Sequence, residues 1–253
     1  SDKDIVLTRY LSEALVQLNP GLPDVAYKQA LREITDIFSS QSMIRINQEK
    51  YHLIRDGVRV KYRQNGEQKT LRLRIFDYES PDNNDFLCVR EMWIRGYAHR
   101  RRADIIGFVN GLPLMFCELK RPDKDLRRAY SENLSDYKDT VPHLFHFNAM
   151  VILGNGGEAK MGSITANYEH FADWLKLDEA DSRNDMLPME ALLKIVCDKR
   201  RFLDIFENFI LYADTANGPA KILAKNHQYL GVNRATKAVE KRESLKQKLG
   251  VFW

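Results

Sequence analysis

The chain has 253 residues, 44% of them hydrophobic and 29% charged, with a formal net charge of +4. That length supports one large domain, or one domain and part of another, with the composition of an ordinary soluble globular protein. No apolar run approaches membrane-spanning length and no signal-peptide pattern opens the chain, so a membrane partner and export are not expected, and the basic excess suits nucleic acid without demanding it.

In chain order, Ile5, Leu7, Tyr10, Leu11, Ala14, Leu15 and Leu18 recur at helical spacing, and Asn19-Pro20-Gly21 ends that first helix. A second helix is expected over about 24–38, with Tyr27, Leu31, Ile34 and Phe38 on one stripe. Ala30, Glu33 and Ile37 form an adjoining line, which places Glu33 at the margin of a buried face. A third helix, about 42–55, stops at Gly57. There the period changes to two: residues 58–62 and 70–75 flank a Gln64-Asn65-Gly66-Glu67 turn and read as a hairpin. A polar loop at 80–85 leads to a strand over 86–94, so the sheet should start antiparallel.

The next stretch carries the chemistry. Residues 103–109 and 112–119 are two apolar runs around Asn110-Gly111, a hairpin signal, and they are interrupted by Asp104, Glu118 and Lys120. Period two puts Leu114, Phe116, Glu118 and Lys120 on one face of the second strand. A two-residue loop would set Asp104 opposite Cys117, on the wrong face. A three-residue loop, with Gly111 left-handed and a bulge, brings Asp104 to the face of Phe116 and Glu118, and this register is expected. An acid followed by Glu-x-Lys after a hairpin is the arrangement of PD-(D/E)xK nucleases, in which two carboxylates hold a divalent ion and the lysine orients or activates water. A lone Glu-x-Lys would read only as a solvated strand end. His99-Arg100-Arg101-Arg102 enters this constellation and would suit phosphate contacts, or be an exposed loop with no partner.

After Arg121-Pro122 a helix is expected over about 124–139, with Asn133 and Tyr137 on one face. Strands at 150–154 and 159–164 and a short helix at 170–177 containing Trp174 follow. The polar residues 181–185 mark a domain boundary. Beyond it, helices are expected at 187–197, 201–212 and 226–249, with a turn at Asn217-Gly218-Pro219, and a strand begins at Gly250. The three cysteines, Cys88, Cys117 and Cys197, read as buried reduced thiols of a cytoplasmic protein, not as disulfides or a zinc site.

A longer pattern runs through most of the chain. It includes Asp104, Phe108-x-Asn110-Gly111-Leu112-Pro113-Leu114, Glu118-Leu119-Lys120-Arg121-Pro122, Pro142-x-Leu144-Phe145, Val151-x-x-x-Asn155-Gly156, and the segment around Gly162 and Trp174. This pattern resembles the N-terminal part of the motor and cleavage subunit of type I restriction enzymes, a bacterial and archaeal family with a PD-(D/E)xK nuclease domain ahead of a helicase-like motor. The resemblance implies an α/β fold, a restriction-endonuclease-like mixed sheet flanked by helices, followed by a helical segment leading into the motor. It implies domains of 1–183 (endonuclease) and 184–253 (helical linker and start of the motor).

By the same resemblance Asp104 and Glu118 are ligands for Mg²⁺, and Lys120 is the catalytic base. A family Gln-x-x-x-Tyr motif falls on Asn133-x-x-x-Tyr137, where asparagine is one methylene shorter. Glu33 resembles an early-helix acid of some relatives and would be a third metal ligand. Arg100, Arg101, Arg102 and Arg121 would contact double-stranded DNA. Gln228, in Lys225-Asn226-His227-Gln228-Tyr229-Leu230-Gly231-Val232, resembles the glutamine that reads adenine. No Gly-x-x-x-x-Gly-Lys-[Ser/Thr] loop occurs, so ATP is expected only in a longer subunit, of which this chain would be an N-terminal piece. The expected activity is Mg²⁺-dependent DNA cleavage of low sequence specificity, coupled to ATP-driven translocation and to specificity and methylation subunits. The alternative is a catalytically silent DNA-binding or assembly module on the same fold.

Overall fold

Three amphipathic helices precede the strands, and the strands carry the charged residues singled out above. The computed structural model describes residues 5–37, 41–64, 66–177, 186–216 and 218–241. Helix α1 (Thr8–Leu18) buries Leu11, Ala14, Leu15 and Leu18. Helix α2 (Asp24–Thr35) buries Ala26, Ala30 and Ile34, which share one face at i, i+4 spacing. Helix α3 (Met43–Asp56) ends at Gly57, and the chain turns into β1 (Val58–Gln64), paired antiparallel with β2 (Glu67–Leu73). This first hairpin is a separate two-stranded sheet rather than the start of the main one.

The main sheet has five strands: β3 (Phe86–Arg95), β4 (Arg100–Val109), β5 (Leu112–Leu119), β6 (Met150–Gly154) and β7 (Ala159–Gly162), in that spatial order. Only the β5–β6 pair is parallel, so the sheet is mixed and does open antiparallel. The parallel return requires a crossover. It is supplied by α4 (Leu126–Arg128), a wider π-helical turn (Ala129–Leu134) and α5 (Ser135–Thr140), which run on from one another. Every residue of β6 is buried, as expected of a strand in the middle of a sheet covered on both faces.

The β4–β5 connection corrects the expected three-residue loop. Val109 pairs with Leu112, leaving two turn residues, Asn110 at φ 48° and Gly111 at φ 79°. Left-handed values at both positions suit a tight hairpin turn whose twist matches the strands. Gly111 is also required by space, because a Cβ there would sit 2.4 Å from the Leu7 carbonyl oxygen. The extra residue lies further along: Phe108 pairs with Pro113 but Gly107 with Met115, so Leu114 is a bulge. The bulge restores the parity that the short turn would have broken.

Beyond β7, the helix expected at 170–177 does not form. A 3₁₀ turn at Tyr168–His170 leads into extended chain, where Ala172 exchanges backbone hydrogen bonds with Met161 and Trp174 is buried against Tyr229. Helices α6 (Pro188–Val196) and α7 (Lys199–Asn208) follow. The helix expected to reach residue 212 stops earlier, and Ile210–Thr215 (β8) pairs with Gly218–Leu223 (β9) in a hairpin missed in the sequence. Helix α8 (Asn226–Glu240) comes last. The domain boundary at 183/184, the end of the long helix and the strand from Gly250 lie outside the described residues. One buried apolar cluster runs through both expected domains, from Leu11 and Phe116 to Leu203, Phe206 and Tyr229. Among the described residues no helix is long and apolar enough to cross a membrane. All three cysteines are free; Cys117 is buried as expected, whereas Cys88 and Cys197 are exposed.

Candidate active site

With Leu114 bulged, the β4–β5 register runs Gly107↔Met115, Ile106↔Phe116 and Ile105↔Cys117, and just beyond its last pair the Asp104 carboxylate lies near enough to Glu118 to act on its charge. The backbone amide of Leu119 donates to Asp104 Oδ2 at 2.8 Å, so Asp104 is anchored by the strand it faces. Glu118 is 4% exposed. Its Oε1 accepts from Asn133 Nδ2 at 2.5 Å and lies 3.5 Å from Lys120 Nζ. Its Oε2 is buried and has no hydrogen-bond partner. A carboxylate oxygen withdrawn from water without a donor is costly, and a bound ion is one of the few ways to offset that cost.

Burial pushes the Glu118 carboxyl up to about 7, and the nearby Asp104 carboxylate adds to the rise; Lys120 and Asn133 oppose it. Two neighbouring carboxylates, one buried and short of a donor, form a place for a hard cation. Among the described residues no group of three His, Cys, Asp or Glu could hold a metal. Two carboxylates are what an ion such as Mg²⁺, which keeps several of its waters, takes from a protein.

Asp104 and Lys120 line an open cleft of about 900 Å³, together with Arg90, Glu91 and Arg121. Glu91 was not foreseen. It adopts φ 53° within a strand, a conformation costly for a residue with a side chain, and ion-pairs with Arg102 at 3.3 Å. Around it the burial pattern changes phase. On β4, Ala103 is buried and so are Ile106 and Phe108, with half-buried Asp104 and Ile105 between. Asp104 thus sits where the strand rolls from one sidedness to the other. A left-handed glutamate leaves no signal in sequence.

The other expected site residues divide by place. Asn133, in the π-helical turn, reaches Glu118 despite its shorter side chain. Tyr137 is buried; its hydroxyl donates to the Arg102 carbonyl at 2.6 Å and its ring meets Phe116 edge-on at 5.0 Å. Arg101 is held by Asp136, with one bond of 2.7 Å from its Nη2. Arg100 lies over the exposed Trp93 ring at 5.2 Å, and Arg121 is exposed with Asp123 at 3.3 Å. Glu33 is not brought to the pair. It is exposed on α2, where its backbone carbonyl accepts from Lys50 Nζ at 3.0 Å and its carboxylate lies near the same ammonium. The Gln228 side chain accepts the Lys225 amide at 2.9 Å and caps α8.

Residues 1–170 match the family model described as the type I restriction enzyme R protein N terminus. The chain is 36% identical to the type I restriction enzyme HindI endonuclease subunit of Haemophilus influenzae, over 98% of this chain and 24% of that protein. It is 24% identical to a protein named as the type I restriction enzyme MjaIXP endonuclease subunit of Methanocaldococcus jannaschii, over 100% of this chain and 26% of that one. It therefore spans about a quarter of the length of these relatives. With the family model covering most of its length, this chain belongs to the family of type I restriction enzyme R protein N termini.

Proposed function

We propose that this chain is the nuclease portion of a type I restriction endonuclease subunit, of PD-(D/E)xK type, and that it hydrolyses DNA phosphodiester bonds with Mg²⁺. The observation that carries this reading is the Asp104 carboxylate held by the Leu119 amide beside Glu118, with Glu118 Oε2 buried and unpartnered and Lys120 Nζ 3.5 Å from Oε1. Asp104 and Glu118 would hold the ion, which would sharpen a bound water as nucleophile and offset charge on the phosphate. The Leu119 amide fixes Asp104, and Asn133 fixes Glu118. Lys120 would orient the attacking water at the cleft and, once it has given up its own proton, take that of the water, as a bond to phosphorus forms, that to the leaving oxygen breaks and the leaving oxygen takes a proton from solvent.

Arg121 lines this cleft, Arg102 pairs with Glu91 of its lining, and with the exposed Arg100 further along β4 they would supply phosphate contacts, which position the duplex without reading its sequence. Arg101, fastened to Asp136, shapes the strand instead. Sequence recognition and methylation then fall to partner subunits, and ATP-driven translocation to a motor that starts within residues 184–253, with Gln228 contributing to adenine recognition there. The test uses the full subunit with its partners. Glu118→Ala and Lys120→Ala should each abolish Mg²⁺-dependent cleavage and leave DNA-stimulated ATP hydrolysis intact; cleavage that survives either change overturns the assignment.

A further inference from the structure

Lys221 is 2% exposed on β9, well outside the cleft, and it forms no ion pair among the described residues. Burial alone pulls its pKa down to about 7. An ammonium so placed persists only where oxygens are built around it. Here its Nζ donates to the Asn148 carbonyl and to Asn47 Oδ1 at 3.3 Å, with the Tyr212 ring 5.7 Å away.

Both acceptors belong to a buried chain of polar groups. Asn47, from α3, donates to the carbonyls of Phe145 at 2.8 Å and Asn148 at 2.9 Å, so one amide closes the turn that precedes β6. Asn148 in turn donates to the carbonyls of Met150 at 2.9 Å and Leu114 at 3.3 Å, and the Ala149 amide donates to the same Leu114 carbonyl at 2.6 Å. Leu114 is the bulged residue of β5, the one on which the nearness of Asp104 to Glu118 depends. The chain of contacts thus starts on the C-terminal hairpin, beyond the part of the sequence that defines the family, and ends at the register of the catalytic strands.

We propose that Lys221 is a positioning residue for the metal-binding pair: by seating the turn at 145–148 it holds the Leu114 bulge, and so keeps Asp104 beside Glu118. This rests on the metal reading of that pair. It makes the β8–β9 hairpin part of the nuclease, and makes docking of the segment that leads onward into α8 a condition for a competent site. The hairpin is otherwise fixed by its backbone, with the Lys221 amide donating to Thr165 Oγ1 at 2.8 Å and Ser163 Oγ donating to the Lys221 carbonyl at 2.6 Å. Loss of the ammonium therefore leaves the fold standing: the Asn148 carbonyl keeps Asn47 Nδ2, and Asn47 Oδ1 keeps the Tyr212 hydroxyl at 2.5 Å.

The experiment is calorimetric titration of the 253-residue chain with Mg²⁺, for wild type, Lys221→Met, Asn148→Ala and Glu118→Ala. DNA affinity in EDTA and near-ultraviolet dichroism are measured alongside. Lys221→Met and Asn148→Ala should each weaken Mg²⁺ about tenfold, the usual result of removing a group that orients metal ligands. Metal-free DNA affinity and the dichroism should not move, which a general loss of structure would not allow. A folded Lys221→Met that binds Mg²⁺ like wild type overturns the coupling alone. If Lys221→Met does not fold, Lys221→Gln, too short to reach both oxygens, decides by the same criterion, while Asn148→Ala tests the later link, from its side chain to the Leu114 and Met150 carbonyls. Wild-type binding no tighter than that of Glu118→Ala overturns the metal reading and this proposal together.

Discussion

Replacing Glu118 by glutamine should stabilise the metal-free chain at alkaline pH, by an amount that shrinks in acid. The carboxyl stands at about 7 in the fold against an ordinary 4.5, chiefly through burial. An acid raised in this way binds its proton more tightly in the folded than in the unfolded chain. Its contribution to stability is complete below about 4.5 and is lost as the pH rises through about 7. That span, at about 1.4 kcal/mol per pH unit, comes to about 3 kcal/mol. Glutamine carries no such penalty and keeps an oxygen for Asn133 and Lys120. Urea unfolding in EDTA should show Glu118→Gln ahead of wild type by about 3 kcal/mol at pH 8 and by less than about 1 kcal/mol at pH 5. A gain equal at both pH values would refute the reasoning, because it would have nothing to do with the ionised carboxylate. Saturating Mg²⁺ should reverse the order at pH 8, since wild type gains binding energy that the variant cannot.

Asn133→Ala, in the full subunit, removes the donor at 2.5 Å from Glu118 and should cut cleavage about tenfold, with the acid limb of the pH–rate profile moved upward, because that hydrogen bond holds the carboxyl down. If neither Asn133→Ala nor Asn133→Gln differs from wild type in cleavage, the motif plays no part here. Tyr137→Phe loses the bond to the Arg102 carbonyl but keeps the contact with Phe116; about 1 kcal/mol of stability should go and cleavage should remain. Gly111→Ala combines a left-handed backbone with a Cβ 2.4 Å from the Leu7 carbonyl, so thermal unfolding should register a loss of about 3 kcal/mol or more. Arg102→Ala and Arg121→Ala should each lower the salt dependence of DNA binding by about one phosphate contact. Arg101→Ala should act on stability instead, through Asp136.

The family, the charged strand pair and most elements were legible in the sequence, because local patterns specify them. Asn-Gly between apolar runs fixes a hairpin, period two fixes which residues of β5 share a face, and Glu118-x-Lys120 stands out because charge is rare on a core strand. The position of Asp104 beside Glu118 was expected for a reason that only the tertiary structure corrected. Turn length and bulge position compensate within one register, and a sequence cannot say where the extra residue sits: here it is Leu114, held by Asn148 and Ala149 from another strand's approach. Long-range contact likewise decided that Glu33 stays exposed, that Asn133 reaches Glu118, and that residues 210–223 pair as strands. Ile210-Leu211-Tyr212 could extend a helix as readily as begin a strand, and docking against Asn47 and Tyr51 selects the strand. The ammonium of Lys221 marks the limit most clearly. Alone it is one lysine in an apolar strand; only the fold brings it the oxygens of Asn47 and Asn148, which come from 174 and 73 residues away in the chain.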